Sequence, residues 1–190
     1  MKLLVRGAVE KTVLTLVSAV LFFGFFQFNQ WLFSSLEYRD GVNWVFLPAG
    51  FRVILVLVMG LRGALGIMLA TWFIDRELFS GSSMSLAFLN GMVSGLTPLL
   101  MLKLMNKWQG MGAQLQHLTA SQLLNLTLFF AAANALVHHL VWLLLGHADI
   151  NIWVDIWPMF IGDASGAMLM LYGLKFVLNR VHISPSVHPH

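Results

Sequence analysis

Six apolar stretches set the strongest constraint on this chain, because in lipid every backbone N–H and C=O must be satisfied internally and only helices or closed barrels can span. A hydrocarbon core about 30 Å thick takes roughly 20 mainly apolar helical residues. Runs of this kind between charged boundaries fall at residues 13–33, 44–59, 64–74, 84–102, 123–145 and 156–178. The first is too long for a signal peptide and has no small-residue cleavage site, so it reads as a mature span. The third is the shortest, and its glycine-flanked hairpin with the second lets both tilt or lie deep in a bundle. With 58% hydrophobic and 10% charged residues, against about 45–50% and about 25% in soluble domains, the chain is excluded from the soluble globular class. Thirteen per cent aromatic residues exclude a disordered one as well. The expected fold is all-α, a polytopic transmembrane helical bundle of about six spans in a single domain over residues 1–180, with residues 181–190 as a short cytoplasmic tail.

Charge gives an independent test, since short cytoplasmic loops carry the Lys and Arg excess. With the N-terminus inside, Lys2, Arg6, Lys11, Arg62, Lys103, Lys107, Lys175 and Arg180 fall on the cytoplasmic side, eight of the eleven basic residues, while Arg39 and Arg76 lie outside. Glu37, Asp40, Asp75, Glu77, Asp149 and Asp155 face the exterior, Asp149 in the polar turn between the fifth and sixth spans. Dropping the weak third span would export Lys103, Lys107, Lys175 and Arg180, so six spans with both termini cytoplasmic are expected. Trp31, Trp44, Trp72, Trp142, Trp153 and Trp157 gather at the external ends as an aromatic belt. The net charge of +3 is scattered along the chain, and no nucleic-acid partner is expected. With no cysteine there is no disulfide, thiolate metal site or cysteine nucleophile. No metal and no cofactor are expected: the tail histidines His182, His188 and His190 are irregularly spaced, and adjacent His138 and His139 diverge on a helix, which does not suit haem.

Two ions remain inside the spans, Arg52 and Asp163. Arg52 lies eight positions past Trp44 and Asp163 eight past Asp155, so at 1.5 Å per residue each sits roughly 12 Å below the external boundary. A buried ion is costly unless paired or hydrated, so the two are expected to meet. His138, His139 and Asn90 come to the same level, and Asn134 shares a helix face with His138 four residues on. His139 is turned about 100° away, so at most one histidine points at a common site. This polar layer is either a structural pair with interhelical hydrogen-bond glue or a ligand pocket or switch open to the exterior. Pro48 and Gly50 before Arg52, and Pro158, Gly162 and Gly166 around Asp163, are helix-break candidates that would free carbonyls near Trp44 and Val45 for a binding recess. The alternative for the glycines is close helix packing.

The stretch Asn43-Trp44-Val45-Phe46-Leu47-Pro48-Ala49-Gly50-Phe51-Arg52, followed by Gly60-Leu61-Arg62-Gly63 and Gly66, resembles the membrane-associated sensor (MASE-type) region. It is most similar to the sensory part of hexose-phosphate uptake histidine kinases, and Gly162-Asp163-x-x-Gly166 is similar to a Gly-Asp patch in that family's later spans. The resemblance implies a sensory module of the bacterial inner membrane, normally fused to a histidine kinase or a cyclic-dinucleotide output domain. Only a tail follows Arg180 in this sequence, so the expectation is a non-enzymatic sensor or adaptor embedded in membrane lipids. It would act through a protein partner in the membrane or at its cytoplasmic face, and a homo-oligomer is compatible with that. The alternatives are a small transporter or substrate-binding membrane subunit, and a structural accessory subunit of a membrane complex.

Overall fold

A computed structural model describes residues 2–39, 41–77, 83–110, 118–145 and 151–180. The tail 181–190, Asp40 and the polar turn holding Asp149 lie outside the described residues. Helix α1 (Lys2–Phe33) runs through a 3-10 turn (Ser34–Leu36) into a hairpin of β1 (Glu37–Arg39) and β2 (Val42–Asn43), and α2 (Leu47–Met59), α3 (Leu61–Glu77), α4 (Met84–Gln109), α5 (Ala120–Leu144) and α6 (Ile152–Arg180) follow. The all-α expectation holds apart from this antiparallel ribbon, which pairs Glu37 with Asn43 and Arg39 with Val42.

Four stretches are long and apolar enough to cross a membrane: Gly7–Leu36, Met84–Gln109, Ala120–Leu144 and Ile152–Arg180. The other two helices are shorter. At 1.5 Å per residue the 13 residues of α2 and the 17 of α3 reach about 20 and 26 Å, short of a 30 Å core. They form a tight antiparallel pair turned by Gly60, whose φ of 59° is a region open to glycine and strained for other residues.

Helix starts follow local chemistry. Ser83 caps α4 by accepting from the Leu86 N–H at 3.1 Å. Thr119 opens α5 with a capping box, its Oγ1 accepting from Gln122 N–H while Gln122 Oε1 accepts from Thr119 N–H, so two otherwise orphaned donors are satisfied. Pro48 corrects an expectation: α2 begins at Leu47, so Pro48 stands in its first turn, where a missing N–H removes no hydrogen bond. The helix is opened there rather than broken, and residues 44–46 form a bend ahead of it instead of helix. Nor does Pro158 interrupt α6, which runs continuously from Ile152 to Arg180.

The helices close a ring in the order α1, α3, α4, α5, α6, α2, with α2 also against α3 and α4. Small residues allow the closest approaches. A side chain at Gly162 or Gly166 would run into the backbone carbonyls of Asn43 and Phe46, and one at Gly50 would meet the Ala167 Cα at 2.9 Å. These three glycines are packing sites, not breaks. The segment 44–46 lies directly on α6: Phe46 N–H donates to Gly162 O at 3.0 Å, and Ser165 Oγ donates to Trp44 O at 3.1 Å. The Trp44 carbonyl that a proline break was expected to free is therefore occupied.

The core is divided along the bundle. Toward the Gly60 turn it is apolar, with Val53, Val56, Ile67, Met105, Leu123, Leu126, Phe130 and Leu171 buried. Toward the hairpin, buried side chains become polar and charged.

Candidate functional site

At the hairpin end all six helices contribute to a recess of about 320 Å³, which Gly41, Val42 and Asn43 of the ribbon also line. Its charged groups are Arg52 of α2, Asp75 of α3 and Asp163 of α6; its polar walls include Asn90 and Ser94 of α4 and Asn134 and His138 of α5. All are buried. The expected polar layer thus exists, with Arg52, Asp163, His138, Asn134 and Asn90 brought together.

Its wiring differs from the expected direct pair. Asn134 stands between the ions: its Nδ2 donates to Asp163 Oδ2 at 2.5 Å, and its Oδ1 faces Arg52 Nη1 at 3.5 Å. The amide that bridges Arg52 of α2 and Asp163 of α6 comes from α5, which packs on the other side of α6. The guanidinium also lies over the rings of Phe22 and Phe46, 5.5 and 5.2 Å from their centroids, a cation–π setting that partly offsets lost hydration.

Asp75 is the member that sequence reasoning placed in an external loop. The last turns of α3 bury it to 7% exposure, and Asn90 Nδ2 donates to its Oδ2 at 2.6 Å, while Trp142 Nε1 donates to Asn90 Oδ1 at 2.9 Å. Two relays of the same design result, Arg52 to Asn134 to Asp163 and Trp142 to Asn90 to Asp75. Each holds a carboxyl by one oxygen. Trp142 therefore turns its indole N–H inward, unlike Trp31, Trp153 and Trp157, which are exposed. The signal for Asp75 was available: Ile67, Thr71, Ile74 and Asp75 recur at i, i+4, i+7 and i+8, one helix face. The adjoining Arg76 and Glu77 hid it.

Of the two histidines, His138 lines the recess and His139 does not, as the 100° rotation requires. His138 Nδ1 lies 3.0 Å from Asn134 O, so that nitrogen carries the proton and Nε2 accepts from Ser94 Oγ at 3.4 Å. His139 Nδ1 makes the same back-bond to Ala135 O at 2.8 Å. Among the described residues no group of three His, Asp or Glu side chains converges as a metal-ligand set.

The hairpin at the mouth is tied on both sides. Tyr38 donates its hydroxyl to Asp155 Oδ1 at 2.7 Å, and Arg39 pairs with Asp155 Oδ2 at 3.5 Å. Asp155 as acceptor favours the protonated phenol and pushes the Tyr38 pKa above its ordinary value. On the α1 side Asn43 Nδ2 donates to Gln30 Oε1 at 2.9 Å, and buried Asn29 accepts the Leu47 N–H at 2.9 Å.

Comparison with known proteins adds no relative: no family model, no curated protein and no solved structure matches this chain. The functional reading therefore rests on the recess itself.

Proposed function

We propose that this protein is a non-enzymatic membrane sensor or adaptor that holds a small polar solute in the Arg52, Asp75 and Asp163 recess and passes its occupancy to a protein partner. One observation carries the reading: a guanidinium and two carboxyls are buried around open space instead of being closed into a compact ion pair. Intramembrane ions that serve structure alone pair with one another, whereas those around a cavity mark a binding path. Both termini cytoplasmic in a bacterial inner membrane, with the short α2 and α3 as a hairpin among the four long helices, would put the recess on the external side. Alternating helix directions and the basic residues at the opposite end support that orientation, and the MASE-type resemblance supports a sensory role. Occupancy would bias the packing of α2 and α6, whose contact at Gly50 and Gly166 has no slack to absorb a shift.

The apolar core below the recess favours a second reading, a substrate-binding subunit of a membrane transporter. A site sealed at one end captures a solute without conducting it. Both readings are separated by crosslinking in native membranes, purification in mild detergent and identification of co-purifying proteins, with wild type beside Arg52→Gln. The sensor reading expects a stoichiometric output protein whose association changes in Arg52→Gln while membrane insertion is retained. Recovery of transport machinery, with solute uptake lost in Asp163→Asn, would favour the transporter reading. A homo-oligomer with no partner in either sample would overturn the adaptor role.

A further inference from the structure

Charge and hydrogen-bond inventory together specify an occupant. The recess is lined by one buried cation, Arg52, and two buried acids, Asp75 and Asp163. In the ionised state these sum to one excess negative charge, which low-dielectric surroundings make costly. Asn90 and Asn134 engage Oδ2 of each carboxyl, so one oxygen of each acid has no protein hydrogen bond among the described residues. Three more polar atoms on lining side chains also have no protein partner among the described residues: Arg52 Nε, Thr71 Oγ1 and Asn43 Oδ1. Their residues are 6%, 8% and 2% exposed, and unsatisfied groups at such burial are uncommon. Arg52 Nε needs an acceptor, Asn43 Oδ1 needs a donor, and Thr71 takes either.

Resting on the binding reading above, we infer that the recess takes a small organic monocation that also carries a hydrogen-bond acceptor, an amine bearing a hydroxyl or carbonyl oxygen. The ammonium neutralises the surplus acid and donates to the free carboxylate oxygens and Asn43. The oxygen accepts from Arg52, with Thr71 beside it. A volume of about 320 Å³ stands at the small end of ligand pockets, which suits a metabolite of a few heavy atoms rather than a peptide. A simple anion fits poorly, since it would answer Arg52 while facing two carboxyls.

The test uses the full chain in lipid nanodiscs at neutral pH and four probes: ethanolamine, tetramethylammonium, acetate and glycerol. Binding is read by calorimetry and by the shift in thermal unfolding. Ethanolamine is expected to bind saturably and at least tenfold more tightly than tetramethylammonium, which has the charge but neither the acceptor oxygen nor an N–H donor, while acetate and glycerol give no saturable signal. Asp75→Asn and Asp163→Asn are each expected to weaken ethanolamine at least tenfold. Thr71→Val should narrow the gap between the two cations. Because the probe order is measured on wild type, a variant that fails to fold does not remove the test. Preference for acetate or glycerol would overturn the inferred ligand class and leave a binding recess in place. Tetramethylammonium binding as tightly as ethanolamine would overturn the acceptor requirement. No saturable binding by any probe overturns the class, and the wider binding reading falls with it only if Arg52→Gln also leaves partner association unchanged.

Discussion

Asn90 and Asn134 are the residues on which the polar layer turns. Each amide donates a hydrogen bond to a carboxyl and accepts one from a neighbour, Trp142 in one case and Arg52 in the other. An amide suits this position because it donates and accepts at once without adding charge. Asn90→Leu keeps roughly the same size but leaves the Asp75 carboxyl and the Trp142 indole N–H without that partner. The expected loss is about 1–3 kcal/mol, the usual penalty for stranding a buried polar group. Denaturant unfolding in detergent checks it, and an unchanged midpoint would mean that water replaces the amide at no cost.

At the scale of elements, what seats the recess is the contact between α6 and the segment 44–46 ahead of α2. Two glycines of α6 let that backbone lie against the helix, where Phe46 N–H and Trp44 O find partners. Gly166→Val places methyl groups where the Phe46 carbonyl stands, and neither neighbour is a flexible side-chain end. Overpacking of this kind is expected to destabilise by about 2–3 kcal/mol and to loosen the mouth of the recess. Gly173→Ala on the same helix is the control: a Cβ there meets nothing within 4 Å, so the change should be neutral or stabilising by up to about 1 kcal/mol. Thermal unfolding of the two variants side by side reads the difference, and equal midpoints would remove the close-approach argument.

For the whole molecule the question is sidedness. The helix directions put the hairpin, the end of α3 and the start of α6 at one end, and the Gly60 turn, the end of α4 and the start of α5 at the other. Because the sequence contains no cysteine, single cysteines report topology without background. Ser35→Cys and Glu77→Cys are expected to react with a membrane-impermeant maleimide in intact cells. Lys107→Cys and Ser121→Cys are expected to react only after permeabilisation. Labelling of Glu77→Cys and Lys107→Cys from the same side would remove α4 as a crossing helix, and reversal of all four would invert the bundle and turn the recess to the cytoplasm.

Hydropathy is a local and additive property, so the sequence alone determined that this is an apolar helical bundle with a polar level in one half. The same arithmetic placed Arg52, Asp163, His138, His139 and Asn90 at similar depth and Asn134 on the face of His138, since depth and face along a helix follow from counting residues. Rotation about the helix axis and the register between helices are not local. They are decided by which small residues meet, and only the tertiary structure showed Asn134 standing between Arg52 and Asp163. It also turned Trp142 inward and drew Asp75 out of an assumed loop, because close packing on Gly91 and Gly95 brings α4 against α3 and leaves that carboxyl facing Asn90. Pro48 shows the same limit from the other side: a proline within an apolar run reads as a break, and only the path of the backbone on α6 made it the first turn of a helix.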